Sequence, residues 1–153
     1  MEGLEDKLKG TRVLVVGDIC LDCYWKGDAS RISPEAPVPV LKVVEEGKKP
    51  GGAANVAVNL TALGAKCDLI GAIGSDSEGK ELKDLLKKAK VNWELIESSN
   101  SKTIVKYRMM AKGQQLIRID REELKLSNHD YSFIKERFET LVSDVDVVVL
   151  SDY

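Results

Sequence analysis

The 153-residue sequence has few of the residues from which metal sites and disulfide frameworks are built. It contains three cysteines and a single histidine, whereas a structural zinc site needs four ligands close together. Cys20 and Cys23 form a C-x-x-C pair, but the other candidates, Cys67 and His129, lie far away in sequence. An odd number of cysteines also disfavours a disulfide framework. We therefore predict no metal site and interpret the cysteines as small, partly buried side chains.

The sequence also lacks a large net charge and any long apolar run. Its 23 Lys and Arg residues nearly balance 25 Asp and Glu residues, giving a net charge of −2. That balance disfavours a protein built to coat nucleic acid or an anionic membrane. The apolar runs are too short to cross a membrane, and the acidic segment 1–7 is unlike a signal peptide. We expect a cytoplasmic protein with neither nucleic acid nor membrane as a partner.

What the sequence does contain is an alternation of short apolar runs and amphipathic segments. The pattern predicts strands at 11–17, 67–73, 91–96 and 145–150, and helices at 53–63, 78–90 and 127–142. Such alternation is typical of an α/β fold with a mostly parallel sheet flanked by helices. Because the runs at 11–17 and 145–150 are mostly apolar, we expect both strands to lie in the core.

Two segments interrupt this alternation. The first, 23–49, holds three of the four prolines, and the second, 103–121, has the pattern of a β-hairpin with its turn near Lys112 and Gly113. We predict that they form a small β subdomain over one end of the sheet, where it could serve as a lid. The sequence stops directly after the strand at 145–150, where a doubly wound domain continues into a helix, so we expect part of a longer domain.

Candidate ligand-binding residues follow the first strand and precede the first helix. Asp18 and Asp22 come just past the strand at 11–17, and ligands of open α/β sheets bind outside the carboxyl ends of the strands. Gly51 and Gly52 would let the backbone approach a ligand, and Asn55 offers a donor and an acceptor to a hydroxyl. The alternatives are that the aspartates cap a turn and that the glycines form a flexible linker.

The predicted hairpin carries a second candidate site. Side chains alternate along a strand, so Lys106 and Arg108 share a face and form a clamp suited to a phosphate. Arg118 and Asp120 share a face of the returning strand, from which Arg118 could join the clamp. The alternative is a solvated strand of alternating charge.

One glycine-rich motif does not indicate a nucleotide site. Residues 74–80 fit the pattern G-x-x-x-x-G-K, but Glu81 replaces the hydroxyl that would hold magnesium. Asp76 and Glu78 would also repel a phosphate. We predict a turn with acidic residues at a helix start instead. For His129, near another predicted helix start, we predict a surface or capping position and no catalytic role.

Together these residues resemble the ribokinase-like (PfkB) family of sugar kinases. Residues 51–57, followed by Gly64 and Gly74, match the first signature of that family in residue type and spacing. Within the family, segments 15–22, 30–40, 114–120 and 150–153 are most similar to kinases of D-glycero-β-D-manno-heptose 7-phosphate. The resemblance extends from about residue 11 to the end, and nothing matches the second family signature, which lies in a C-terminal half. It implies that residues 1–153 are the N-terminal part of such a kinase domain, with the lid at 23–49 and 103–121.

The resemblance also implies roles for individual residues. Sugar hydroxyls would be held by five residues: Asp18, Asp22, Gly51, Gly52 and Asn55. The existing phosphate would meet the hairpin through Lys106 and Arg108, with Arg118 and Asp120 beside them. Asp152 would lie at a strand end near the reacting groups. The catalytic base is expected in the C-terminal half, so the resemblance implies no catalytic residue in this sequence.

The implied chemistry is transfer of the ATP γ-phosphate to the anomeric hydroxyl of the sugar phosphate, with Mg²⁺, in the synthesis of ADP-heptose for lipopolysaccharide. ATP and Mg²⁺ would serve the complete enzyme, and neither is expected to bind this half. The missing C-terminal half and a second copy, contacted through the β lid, are the expected protein partners. Two alternatives remain open: a related kinase for another sugar, and a non-catalytic module that dimerises or binds a partner.

Overall fold

The computed structural model describes Gly3 and residues 7–152. Most of segment 1–7, which was compared above with a signal peptide, therefore lies outside the described residues. Tyr153 also lies outside them. The described elements alternate between strands and helices. In chain order they are β1 (Arg12–Gly17), β2 (Ile19–Ile32), β3 (Pro39–Gly52), α1 (Ala53–Ala62), β4 (Lys66–Gly74), α2 (Ser77–Lys88), β5 (Asn92–Ser98), β6 (Ile104–Ala111), β7 (Gln114–Arg121), α3 (Asn128–Leu141), a 3₁₀ turn (Val142–Asp144) and β8 (Val147–Ser151).

The first sheet is parallel, with the strand order β5-β4-β1-β8. Val13 and Val15 of β1 pack with α1 and α2 in one apolar core, to which α2 contributes Leu82 and Leu86. Leu14 is equally buried, and it faces the other side of the sheet because side chains alternate along a strand. Helix α3 packs against β4 and β5. The predicted α/β architecture, with helices flanking a mostly parallel sheet, is therefore confirmed.

Strand β8 does not lie in the core, contrary to the prediction from its apolar run. It pairs with β1 at the edge of the sheet, and no strand of the described residues pairs with its outer edge. Val147, Val148 and Leu150 are exposed, Leu150 to 74%. A run of apolar residues indicates a strand that can be covered on both faces, but only its neighbours determine whether it is covered.

The second sheet has the order β3-β2-β6-β7 and mixed pairing. Strands β2 and β3 are antiparallel, β2 and β6 parallel, and β6 and β7 antiparallel. Its strands extend beyond the predicted segments, since β2 begins at Ile19, directly after β1, and β3 continues to Gly52, directly before α1. Lys112 and Gly113, between β6 and β7, both have positive φ angles, as a tight hairpin turn requires. The predicted turn at this position is confirmed.

The base of the β6–β7 hairpin is fastened to the start of α2 by Asp76. This carboxylate accepts hydrogen bonds from the Gly79 amide (2.9 Å), the Thr103 amide (3.0 Å) and the Thr103 hydroxyl (2.6 Å). Burial acts to raise the pKa of Asp76, but these hydrogen bonds outweigh it and hold the pKa below its ordinary value. The predicted turn with acidic residues at a helix start is confirmed, and Asp76 is in addition the N-cap of α2.

In the part of the chain that the structure describes, no helix has both the length and the apolar character that a membrane span requires. Cys20, Cys23 and Cys67 are buried and unpaired.

Candidate functional site

A cavity of about 270 Å³ lies between the end of β1 and one face of the second sheet. Its walls include five of the residues that the sequence singled out. These are Asp18, Asp22, Gly52, Lys106 and Arg108. The side of the second sheet that carries Asp22, Lys106 and Arg108 is called the cavity face below. A concave site with a few convergent polar groups is the usual form of a small-molecule site.

The backbone around Asp18 joins three elements. The Asp18 amide donates to the carbonyl oxygen of Ser151 (3.0 Å), and the Asp18 carbonyl oxygen accepts from the Ala53 amide at the start of α1 (2.8 Å). The Ala53 amide at the N-terminus of α1 is therefore bonded to the protein itself. The contact places the first turn of α1 beside the end of β1.

Gly52 is required by this junction. Its φ angle of 58° lies in the left-handed region, which residues with a side chain rarely adopt. A Cβ atom at this position would also overlap the Asp18 carbonyl oxygen. The glycine therefore permits close approach of β3 to β1 rather than forming a flexible linker.

Gly51 makes room for the carboxylate of Asp22. It pairs with Cys20 across the β2–β3 ladder, and a Cβ atom here would lie 2.5 Å from the Cys20 Sγ and 2.7 Å from the Asp22 Oδ2. Burial raises the pKa of Cys20 to about 11, so the thiol in the cavity wall is protonated at neutral pH. Cys20 is thus a neutral part of the wall and not a nucleophile.

Asp22 and Arg108 form the best-defined ion pair of the cavity. The Arg108 Nε and Nη2 both donate to the Asp22 Oδ1, at 3.1 and 2.9 Å. The side chains of Arg108 and Asp22 are only 23% and 16% exposed. Burial acts to lower the pKa of Arg108, but the bond and charge of Asp22 raise it above its ordinary value. The guanidinium remains charged and orients the carboxylate, whose Oδ2 is directed toward Gly51.

Lys106 adds a second cation to the same face, as strand alternation predicts. It lies directly across from Asp22 in the β2–β6 ladder, and its ammonium group is 3.8 Å from a carboxylate oxygen of Glu122. The cavity face therefore presents carboxylates that can accept hydrogen bonds from hydroxyls, next to cations that can bind a phosphate.

Five predicted site residues are not part of the cavity wall: Gly51, described above, and Asn55, Arg118, Asp120 and Asp152. Arg118 and Asp120 lie on β7, opposite Arg108 and Lys106, and pair with each other at 2.9 Å. Because β7 is the outer strand of the sheet, they lie on the cavity face but one strand farther from Asp18. Asn55, in the first turn of α1, and Asp152, after β8, are exposed.

Sequence reasoning missed Tyr24 and Lys49, which also belong to the cavity face. Tyr24 is two residues beyond Asp22 on β2, and Lys49 pairs with Asp22 on β3. The alternation rule applied to the hairpin would have identified both residues. Its use here requires knowing that β2 begins at Ile19 and that β3 continues to Gly52, which no local pattern indicates.

Among the described residues, no group of three or more His, Cys, Asp or Glu side chains is placed to hold a metal ion. The cavity is lined by carboxylates, cations, the Gly52 backbone and apolar side chains.

Comparison with known proteins relates this architecture to sugar kinases. The chain matches the family described as pfkB family carbohydrate kinase over residues 10–152. It is 48% identical over 141 residues to the bifunctional protein HldE of Vibrio atlanticus, covering 92% of this chain and 29% of that protein. It is 49% identical over 146 residues to HldE of Chromohalobacter salexigens, covering 95% and 30%. The chain thus spans about 30% of the length of these relatives.

Solved structures share the fold at low identity. A possible 1-phosphofructokinase from Thermotoga maritima matches with a TM-score of 0.74 and 19% identity, covering 91% of this chain and 44% of that one. Phosphofructokinase-2 from Escherichia coli, in complex with fructose-6-phosphate, matches with a TM-score of 0.73 and 21% identity, covering 94% and 45%. Together with the family match over most of its length, this fold shows that the chain belongs to the pfkB family of carbohydrate kinases.

Proposed function

We propose that the chain supplies the sugar-binding part of a kinase that transfers the γ-phosphate of ATP to the anomeric hydroxyl of D-glycero-β-D-manno-heptose 7-phosphate. One structural observation carries the proposal. The Asp22–Arg108 pair and Lys106 lie on one cavity face, so groups for sugar hydroxyls adjoin groups for a phosphate. The identity of 44–49% with bifunctional HldE proteins and the heptose-kinase resemblance of the sequence support the choice of sugar.

The residues of this chain would bind and orient the acceptor. The carboxylates of Asp18 and Asp22 accept hydrogen bonds from sugar hydroxyls, and the glycine backbone at Gly52 permits the ring to come close. Lys106 and Arg108 hold the phosphate that the sugar already carries. The second sheet would act as a lid that keeps water from the reacting hydroxyl.

We further propose that the proton-accepting base and the nucleotide site come from a C-terminal part of the kinase. Phosphoryl transfer depends on positioning, charge neutralisation and a group that takes the hydroxyl proton. The chain corresponds to 43–45% of the solved kinase chains that share its fold. The described residues provide no metal-ligand cluster, so the Mg²⁺ that accompanies ATP is not assigned to them.

An ADP-release assay with ATP and Mg²⁺ tests the proposal. We expect turnover of D-glycero-β-D-manno-heptose 7-phosphate by this chain joined to the C-terminal kinase segment of an HldE relative, and none by the 153-residue chain alone. The dephosphorylated heptose and fructose 6-phosphate serve as comparison substrates. A preference for either of them would refute the assigned sugar, and turnover by the chain alone would refute the assigned location of the base.

We also propose that two copies associate through the second sheet. Ile117 and Ile119 of β7 are exposed, and their pairing with Met109 and Tyr107 places them on the side opposite the cavity face. An exposed apolar strand of this kind is suited to contact with a second copy. We expect the double substitution Ile117→Lys and Ile119→Lys to convert a dimer to a monomer in sedimentation velocity. Gln115→Lys is the matched control, because the Gln115 Oε1 accepts from Arg108 on the cavity side of the same strand, and equal dissociation by both variants would contradict this interface.

A further inference from the structure

The cavity face continues beyond Asp22 into a region that the proposed function does not use. In the β2–β6 ladder Tyr24 lies opposite Arg108, and in the β2–β3 ladder Lys49 lies opposite Asp22. Because side chains of paired residues lie on the same side of a sheet, Tyr24, Lys49 and Arg108 share the cavity face. They come from three adjacent strands.

The ring of Tyr24 attracts both cations. The Lys49 Nζ is 5.7 Å from the ring centroid, and the Arg108 Cζ is 5.9 Å from it. Both distances are within the range of about 6 Å over which a cation interacts with an aromatic face. Two positive groups on the cavity face therefore each lie within about 6 Å of the centroid of one aromatic ring.

The charge of Lys49 is not balanced by a carboxylate. Each acidic side chain on this part of the face has another cation as its partner: Asp22 pairs with Arg108, Asp120 with Arg118, and Glu45 with Lys26. Lys49 forms no ion pair with any residue that the structure describes. An anion would relieve the repulsion between Lys49 and Arg108.

There is also space beside the ring. The residue opposite Tyr24 on β3 is Gly47, and a Cβ atom built there would meet no other atom within 4 Å. This glycine has an ordinary negative-φ backbone, so the conformation does not require it. The absence of a side chain at Gly47 leaves open space on β3 opposite Tyr24.

We infer that Tyr24 and Lys49 extend the phosphate site of Lys106 and Arg108 on the same face, and that Lys49 and Tyr24 are the specificity-determining residues for the phosphate monoester of the sugar. The inference rests on the proposed function and adds to it the residues that distinguish a phosphorylated sugar from a neutral one. Arg108 joins the two parts of the site, since its Nε and Nη2 hold Asp22 and its Nη1 extends toward Gln115 at 3.4 Å. Lys49 supplies the second cation from β3, 5.7 Å from the centroid of the Tyr24 ring.

The inference is tested by titrating the ¹⁵N-labelled 153-residue chain with three ligands and measuring the changes in its amide chemical shifts. The ligands are D-glycero-β-D-manno-heptose 7-phosphate, the dephosphorylated heptose and inorganic phosphate. We expect Lys49→Gln to weaken binding of both phosphate compounds about tenfold and to leave the neutral heptose unaffected. Tyr24→Leu should weaken binding of the two phosphate compounds about fivefold. Tyr24→Phe should leave their binding unchanged, because the ring and not the hydroxyl holds the cations.

Lys48→Gln is the matched control, because it removes the same charge from the neighbouring residue. Lys48 is on the other side of β3, where it pairs with Glu81 at 3.0 Å. Equal weakening by Lys48→Gln and Lys49→Gln, or binding of no phosphate compound by the unmodified chain, overturns the inference. If inorganic phosphate binds in a Lys49-dependent way and the heptose phosphate does not bind, the subsite stands and the proposed sugar is wrong. If the heptose phosphate binds independently of Lys49, the proposed sugar stands and the subsite is wrong.

Discussion

Replacement of Asp22 by asparagine is expected to weaken binding of heptose 7-phosphate by about a hundredfold, because two charge-dependent functions are lost at once. The amide accepts hydrogen bonds from hydroxyls less strongly than the carboxylate does. It also leaves the guanidinium of Arg108, which is 23% exposed, without its charged partner. The measurement is isothermal titration calorimetry of the 153-residue chain with the sugar phosphate.

The same substitution should lower the free energy of unfolding by about 1–2 kcal/mol, since a partly buried charge loses its hydrogen-bond acceptor. Asp28→Asn is the matched control. Asp28 is on the same strand, exposed, and bonded to the Ser30 hydroxyl. Unchanged affinity in Asp22→Asn would show that this carboxylate does not contact the ligand.

Gly52→Ala is expected to destabilise the chain by about 3 kcal/mol, because two independent costs add. The backbone at this residue has a φ of 58°, and the new Cβ would overlap the Asp18 carbonyl oxygen. The Ala53 amide would then separate from Asp18, and the cavity wall would change shape. Thermal unfolding followed by circular dichroism should show a fall in Tm of about 10 °C for a chain of this size.

Gly47→Ala provides the control for stability. Gly47 belongs to the same strand, has no positive φ, and has open space where its Cβ would be built. Its replacement should leave Tm unchanged or raise it slightly, because alanine has less freedom to lose on folding. A fall in Tm of similar size in both variants would mean that any glycine of β3 is needed for the strand itself, and that the contact with Asp18 is not special.

The position of the site follows from how the two sheets are joined. Strand β1 passes into β2 after Asp18, and β3 passes into α1 after Gly52, with a hydrogen bond between the Ala53 amide and the Asp18 carbonyl oxygen. The second sheet is therefore connected to the carboxyl end of the first sheet at the point where ligands of open α/β sheets bind. The hydrogen bonds of Asp76 with Thr103 connect it a second time, at the base of the hairpin.

Much of the fold could be predicted from the sequence because local patterns determine it. The apolar run of β1, the amphipathic pattern of α2 and the Ser127 cap of α3 each arise from neighbouring residues, and each element forms close to its predicted bounds. The shared face of Lys106 and Arg108 is likewise a local consequence of strand alternation. The glycine-rich segment before α1 identified the family through residue type and spacing alone.

The remaining features of the fold and of the site depend on which strands become neighbours, and no local sequence pattern carries that information. The apolar run of β8 is similar to that of β1, yet among the described residues β8 pairs with β1 alone and Leu150 is exposed. The bond between Arg108 and Asp22 joins residues 86 positions apart. Lys49 became part of the cavity face only when β3 paired with β2. Residue types thus determined the elements and the family, whereas the long-range pairing of strands, which fixes the distances between side chains, determined the composition of the site.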